Sequence, residues 1–196
     1  MDTDRKWVIV RIDGKIAAIS TDYRALAAIS ARLAQQKSPA YGKITAETVG
    51  FDEVWKLRRN TSWNDLLLIG TDFQKKVWRK LWELTHSENE DHSAGTGTRL
   101  LSYSDFAEMC QNRAGVRAVA HAIGLNPIAI LIPCHLVVPK ECIDRIAEIQ
   151  KKAESTIFKG SDLCMENLLN APYLDFGEYA YGRKAKRFLI RKEFSL

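Results

Sequence analysis

Cys134 and His135 stand side by side in the chain, and together they have the residue types that nucleophilic catalysis needs. The thiolate is the reactive form of cysteine, and an imidazole close to the sulfur can accept the thiol proton. Adjacent side chains of an extended chain point to opposite faces, so His135 would need a bridging water or a bend to act on Cys134. A cysteine in an apolar run is also often a small core residue. The pair by itself leaves a catalytic and a structural role open.

The residues that lead up to this pair predict how it is positioned. The apolar residues 128–132 run into Pro133, a pattern typical of a buried strand that ends in a pocket. Upstream, Ser102 can cap a short helix, and a second short helix covers residues 113–123 with Gly124 placed to stop it. Two helices joined this tightly form a helix-turn-helix candidate, although many other helical segments share the pattern.

Residues 1–70 read as a small α+β unit with an antiparallel sheet. Asp13-Gly14 lies between two apolar runs, which is a strong signal for a two-residue hairpin turn. Residues 23–36 carry alanine and leucine at helical spacing. No function can be read from this region.

Three further helices are predicted from periodicity. The hydroxyl of Thr71 and the amide of Gln74 have the spacing of a capping box. The helix that follows has an apolar face expected to contain Phe73, Val77, Leu81 and Leu84. Residues 141–176 begin as an amphipathic helix and continue irregularly, and residues 182–193 form a basic helix. The inner face of the basic helix is expected to contain Ala185, Phe188 and Leu189.

The composition excludes several classes of protein. The chain has 196 residues, of which 46% are hydrophobic and 27% charged, as in ordinary globular domains. It contains no apolar run near the roughly 18 residues that a membrane span needs. The spacing of its four cysteines fits neither a zinc site nor a disulfide scaffold, so we expect a reducing compartment. A net charge of +5 permits nucleic acid as a partner, but on composition alone the basic residues 181–196 are more typical of a solvated helix face.

Residues 126–138 read Asn-Pro-Ile-Ala-Ile-Leu-Ile-Pro-Cys-His-Leu-Val-Val and closely resemble the active-site signature of the O6-alkylguanine-DNA alkyltransferases. The likeness extends back without a gap to residues 101–103. It includes residues 113–119, which look like the recognition helix of that family. Residues 73–78 and 179–193 match as well.

The resemblance implies an α+β fold of two domains. Residues 1–70, which match only in position and strand content, would be an N-terminal ribonuclease H-like α/β domain. Residues 71–196 would be an α-helical alkyltransferase domain with a helix-turn-helix and an unusual insertion at about residues 141–176. Members of the family bind double-stranded DNA containing O6-alkylguanine through the minor groove. We therefore expect a monomer that reacts once, needs no cofactor or metal, and works in the cytoplasm of a prokaryote or the nucleus of a eukaryote.

The resemblance also assigns catalytic roles. Glu193 would orient His135, which would deprotonate Cys134 through a water so that the thiolate can attack the alkyl carbon. Asn126 looks like the residue that bridges the recognition helix to the active-site turn.

Four residues, together with the backbone carbonyl of Cys134, are implied in binding the guanine that has left the duplex. Tyr103 would crowd the target phosphate and donate toward the ring, and Tyr179 would wall the base pocket. The carbonyl of Val137, with that of Cys134, would accept from the guanine amino group, and the Ala180 N–H would donate to the released oxygen.

The recognition helix supplies the implied DNA contacts. Arg117 would enter the base stack in place of the target. The surface around it is formed by Arg113, Ala114, Gly115 and Ala118. Because Ala114, Gly115 and Ala118 are small, the backbone can come close to the sugar-phosphate walls.

Two substitutions depart from the family pattern. Leu136 stands where arginine is usual, so an ion pair that steadies the active-site turn is expected to be missing. Ala129 replaces a common proline, which leaves the tolerance for bulky adducts open. Three other functions also stay open: a lesion sensor that does not repair, a helix-turn-helix regulator, and a thiol hydrolase. A sensor would lack the acceptor cysteine, a regulator would need polar base-reading side chains, and a hydrolase would need an oxyanion site.

Overall fold

The computed structural model describes residues 5–21, 27, 29–31, 33, 42–86, 100–155, 171 and 173–194. Its contacts divide the chain into two compact units. The sheet unit contains Asp2–Trp82 and His121–Cys134, and the helical unit contains Glu83–Ala120 and His135–Leu196. This grouping differs from a division after residue 70, and the two sequence domains stay a prediction. The mixture of helices with a small antiparallel sheet confirms the α+β class.

The sheet unit is built on three antiparallel strands, β1 (Trp7–Ile12), β2 (Lys15–Ser20) and β3 (Ile44–Val49), in the order β2-β1-β3. Asp13 and Gly14 connect β1 to β2 with φ values of 50° and 80°. A two-residue turn of this kind matches the twist of the strands and needs positive φ at both positions. The predicted hairpin is confirmed.

Two helices follow β3 in the sheet unit, α1 (Phe51–Asn60) and α2 (Asp72–Glu83). The capping box of α2 is present, because Gln74 N donates to Thr71 Oγ1 at 3.2 Å and Thr71 N donates to Gln74 Oε1 at 3.0 Å. The buried face of α2 consists of Val77, Trp78, Leu81 and Trp82. Phe73 was expected on that face, but it lies in the first turn, off this stripe, and is 36% exposed. Outside these elements, residues 27, 29–31 and 33 are helical, while the rest of the predicted helix over 23–36 lies outside the described residues.

In the helical unit, β4 (Leu101–Ser102) leads directly into α3 (Tyr103–Met109). The predicted cap is confirmed, because the backbone N–H of Asp105 donates to Ser102 Oγ at 3.1 Å. A single turn of 3-10 helix, Arg113–Gly115, then opens into α4 (Val116–Gly124), whose residues from His121 onward are grouped with the sheet unit. Gly124 is the last residue of α4, but it does not take the left-handed conformation of a capping glycine.

Two longer helices complete the helical unit, α5 (Lys140–Ser155) and α6 (Arg183–Phe194), with the short strand β5 (Val137–Val138) ahead of them. Strand β5 pairs in parallel with β4. One apolar cluster joins these elements and consists of Val138, Cys142, Ile146, Leu174, Phe176 and Ile190. The amphipathic start of the predicted insertion is confirmed, whereas residues 156–170 and 172 of its irregular part lie outside the described residues. Among the described helices, none has the length and apolar character to cross a membrane.

Candidate active site

The run of residues 128–132 is not the strand that its composition predicts. It makes one bridge to β2, in which Ile19 N donates to Pro127 O at 2.9 Å and Ala129 N donates to Ile19 O at 3.2 Å. Beyond this bridge Leu131 N bonds Ala129 O at 2.9 Å, so the chain turns back on itself. The buried polar groups are thus satisfied by tight turns rather than by a strand ladder.

Ile130 is the centre of the tightest turn. Its φ is 71°, which lies in the left-handed region that a β-branched residue rarely adopts. Its side chain is fully buried, so packing holds the backbone in this conformation. Backbone strain of this type is concentrated at functional sites in proteins.

The side chain of Asn126, a residue of the sheet unit, holds this turn through three hydrogen bonds. Its Nδ2 donates to Ile132 O at 2.9 Å and to Cys134 Sγ at 3.2 Å, and its Oδ1 accepts from Ile128 N at 3.1 Å. One amide therefore fixes both ends of the turn and places a donor on the sulfur. A hydrogen bond donated to sulfur favours the thiolate over the thiol.

Cys134 is more exposed to solvent than the apolar residues two positions away on either side of it. Cys134 is 8% exposed, whereas Ile132 and Leu136 are completely buried. Cys134 begins a turn of 3-10 helix, Cys134–Leu136, and its N–H bonds Ile132 O at 2.8 Å. The chain is thus bent at the cysteine rather than extended.

His135, the next residue, belongs to the helical unit and is held by α6. Its Nε2 lies 2.7 Å from Glu193 Oε1, and the two side chains are 0% and 2% exposed. A carboxylate on one ring nitrogen fixes the orientation of the imidazole and stabilises its charged form. The structure therefore brings Glu193 and His135 together, and the role of Glu193 in orienting His135 stays a prediction.

The residues predicted to bind guanine lie on three elements of the helical unit. Tyr103 is the first residue of α3, and Tyr179 and Ala180 precede α6. The Tyr179 ring packs edge-on against Tyr181 with centroids 5.4 Å apart. The carbonyl of Val137 accepts a hydrogen bond from Lys186 Nζ at 2.8 Å.

Lys186 was not among the site residues expected from the sequence. The lysines of residues 182–193 have the pattern of a basic, solvated helix face, but Lys186 is only 1% exposed. The signal was its spacing, since residues 186, 189, 190 and 193 follow the i, i+3, i+4, i+7 pattern of one buried helix face. Phe188, expected on the inner face, is instead half-buried.

Most of the residues predicted to contact DNA are open to solvent. Arg113, Ala114, Arg117 and Ala118 are exposed. Gly115 is half-buried, and a Cβ at this position would come within 2.4 Å of the Asn112 side chain. A larger residue at this position would therefore have to displace the Asn112 side chain.

The two residues that depart from the family pattern are both buried. Leu136 is 0% exposed, and Ala129 is 1% exposed.

Cys142 is 3% exposed in the apolar cluster. Burial raises the pKa of its thiol to about 11, and the nearby ammonium of Lys186 partly opposes this rise. No three His, Cys, Asp or Glu side chains within the described ranges are grouped so that they could hold a metal ion.

Comparisons with known proteins match part of this chain to one family of DNA-repair proteins. Residues 96–154 match the family described as 6-O-methylguanine DNA methyltransferase, DNA binding domain. A probable methylated-DNA–protein-cysteine methyltransferase of Acanthamoeba polyphaga mimivirus is 46% identical over 76 residues, or 39% of this chain and 44% of that protein. The inducible methylated-DNA–protein-cysteine methyltransferase of Bacillus subtilis is 41% identical over 71 residues, 36% of this chain and 34% of that protein. The chain thus spans less than half the length of these curated relatives.

The crystal structure of O6-methylguanine-DNA methyltransferase from Pyrococcus kodakaraensis superposes with a TM-score of 0.52 at 20% identity, covering 96% of this chain and 91% of that one. This similarity shows a shared fold. The part of the chain that matches the family model, residues 96–154, contains α3, α4 and the turn that carries Cys134.

Proposed function

We propose that the protein repairs DNA by transferring an alkyl group from O6-alkylguanine to the sulfur of its own Cys134, once per molecule. The observation that carries this proposal is the hydrogen bond from Asn126 Nδ2 to Cys134 Sγ at 3.2 Å. A donor fixed on the sulfur prepares it as a thiolate. The curated relatives that match this part of the chain are named for the same transfer to cysteine.

The reaction is a displacement at the alkyl carbon. The Cys134 thiol passes its proton through a water to Nδ1 of His135, since Nε2 bonds Glu193. The thiolate then forms the carbon–sulfur bond while the bond from that carbon to guanine O6 breaks. The electron pair leaves with the guanine oxygen, where the Ala180 N–H donates, and Tyr103 supplies a proton or hydrogen bond to the ring.

The product explains the single turnover. A thioether is not cleaved by water, so Cys134 is not regenerated. No metal or organic cofactor takes part in the proposed reaction. The buried Glu193 has a defined task, because an imidazolium formed at His135 is stabilised by the carboxylate beside it.

The partner is double-stranded DNA, which α3 and α4 would bind through the minor groove as a helix-turn-helix. The O6 atom of a paired guanine lies inside the duplex, so the nucleotide has to be rotated out. Arg117, exposed on α4, would fill the vacated place in the stack. Contacts to phosphate and sugar carry little base information, which suits a search for damage in any sequence. The protein would act as a monomer in whichever compartment holds the DNA.

Incubation with a duplex that carries one O6-methylguanine tests the proposal. We expect the intact mass to increase by one CH₂, with the addition mapped to Cys134 by peptide analysis. Cys134→Ala should gain nothing yet still bind the duplex, because phosphate contacts supply most of the affinity. Cys142→Ala, a second buried cysteine, should react like the natural protein.

Two results would contradict the proposal. Binding to methylated duplex without any mass change would identify a lesion sensor or a regulator. Transfer that persists in Cys134→Ala and maps to Cys142 would remove Cys134 from the mechanism.

A further inference from the structure

The buried face of α6 carries two charged side chains that hold the segment after Cys134. Glu193, near the end of the helix, bonds the side chain of His135 at 2.7 Å. Lys186, two turns earlier, bonds the backbone carbonyl of Val137 at 2.8 Å. Leu189 and Ile190 lie between them on the same face and are fully buried. Helix α6 thus binds residues 135 and 137 through two side chains of opposite charge.

The ammonium of Lys186 also contacts two other parts of the helical unit. It donates to the carbonyl of Glu178 at 3.4 Å, in the segment before α6. It lies 5.8 Å from the ring centroid of Tyr103, the first residue of α3, within the range of a cation–π interaction. One cation therefore connects three elements of this unit.

The surroundings of Lys186 exclude water. Gly177 has a φ of +79°, and a Cβ at this position would lie 2.9 Å from Pro139 Cγ and 3.9 Å from Lys186 Nζ. The segment before α6 therefore passes closely over the ammonium. Burial of a cation costs free energy, and a packed apolar side chain is often at least as stabilising in such a position. A role in packing alone is thus a poor explanation for a lysine here.

We infer that Lys186 is a positioning residue for recognition of the alkylated guanine. The carbonyl that it holds belongs to Val137, and the other two contacts are Tyr103 and the residue before Tyr179. The proposed function assigns guanine binding to Tyr103, Val137 and Tyr179, so this inference rests on that function. Lys186 acts on the binding of the base, whereas Asn126 and the pair of His135 and Glu193 act on the thiol.

Lys186→Met removes the charge and the donors while keeping a side chain of similar length. In a Cys134→Ala background, we expect the preference for methylated over undamaged duplex to fall about tenfold, which corresponds to one charge-assisted hydrogen bond. With Cys134 present, the duplex concentration that gives half the maximal transfer rate should rise by a similar factor. Alkylation of Cys134 by iodoacetamide, which needs no guanine site, should change less than about twofold.

Lys184→Met is the matched control, because Lys184 is exposed on the same helix. It makes the same change in net charge and should leave every measurement as it was. If Lys186→Met does not fold, Lys186→Gln takes its place, since it keeps an N–H donor for the Val137 carbonyl, and a smaller loss of the same kind is expected.

An unchanged preference for methylated duplex would overturn the inference. So would a parallel fall in melting temperature, iodoacetamide reactivity and lesion preference, which would show a structural role only. The proposed function fails in a different way, because the natural protein would then bind methylated duplex without transferring the methyl group. Lesion preference would still report on Lys186 in that case.

Discussion

The hairpin of β1 and β2 and the segment of residues 128–138 are both rich in isoleucine and valine, and both are largely buried. The hairpin forms a ladder because β1 is paired on each side, by β2 and by β3. The segment has only the bridge to Ile19 and the short pairing of β5, and it bonds mostly to itself and to Asn126. The same side-chain types therefore give a regular element in one place and a strained turn in the other. The backbone partners that the fold provides decide which of the two forms.

Because Asn126 holds the turn and a strand ladder holds the hairpin, the turn should depend on one polar side chain more than the hairpin does. Asn126→Ala removes hydrogen bonds to Ile128, Ile132 and Cys134 in a partly buried place. We expect a loss of about 3–4 kcal/mol in the free energy of unfolding, at about 1 kcal/mol for each bond plus the unsatisfied groups left behind. Urea denaturation measures this loss, and the rate of methyl transfer should fall with it.

Asp13→Asn is the corresponding change in the hairpin. Asp13 also accepts two backbone bonds, from Gly42 and Lys43, but in an exposed place. Water can replace a lost partner there, so a loss below about 1 kcal/mol is expected. Asn126→Asp adds a further check, since it keeps the acceptor for Ile128 but puts a carboxylate beside the sulfur and should slow transfer. Equal losses in Asn126→Ala and Asp13→Asn would show that the turn has no special dependence on its amide.

Equal truncations of two buried isoleucines test the strain in the turn. Ile12→Ala in β1 should cost about 3–4 kcal/mol, as large-to-small changes in cores do. Ile130→Ala removes the same atoms but also relieves the β-branch at a φ of 71°. We expect its cost to be about 1 kcal/mol smaller. A larger cost at Ile130 than at Ile12, measured by denaturant unfolding, would contradict strain in the turn.

The smallest effect concerns a buried thiol on a regular element. In α5, burial raises the pKa of Cys142 from 9.0 to about 11, so the folded protein keeps the thiol proton when the unfolded chain has lost it. The stability from this proton is fully present below pH 9 and is lost as the pH rises toward 11. Between about pH 8 and pH 10 the loss should be about 1 kcal/mol.

Cys142→Ala should lack this part of the alkaline loss, so the difference in melting temperature between the two proteins should narrow as the pH rises. A constant difference across this range would show that Cys142 does not titrate as proposed. Cys142 should also resist iodoacetamide at neutral pH, where it is a thiol, while Cys134 reacts.

Local signals in the sequence predicted much of the fold. Asp13-Gly14 specified the hairpin, and Thr71 with Gln74 and Ser102 with Asp105 specified two helix starts. In each case the residues that determine the structure are neighbours in the chain, and the physics is that of a turn or a cap. These predictions needed no knowledge of the rest of the molecule.

The residues of the candidate site could be predicted only where a family motif includes them. The positions of Asn126, Cys134, His135 and Glu193 came from a family resemblance, because His135 and Glu193 are far apart in the chain and no local rule pairs them. The turn at residues 128–132 could not be predicted from its composition, since the choice between strand and turn depends on distant partners. The burial of Lys186 was visible in helical spacing, but the positive charge favoured a solvated position.

The sheet unit consists of two stretches that are separate in the sequence, and this affects how it folds during synthesis. A ribosome delivers residues in order, so the hairpin and α2 emerge well before His121–Cys134, which completes their unit. Until then Ile19 on β2 lacks its bridge to Ile128, and the indole of Trp78 lacks the Ala122 carbonyl that it bonds at 2.8 Å. A strand with an unfilled edge position and apolar neighbours is prone to pair with other chains. Nascent chains that stall before residue 121 should therefore be bound by chaperones and cut by proteases. Chains that stall after residue 134 has left the exit tunnel should not.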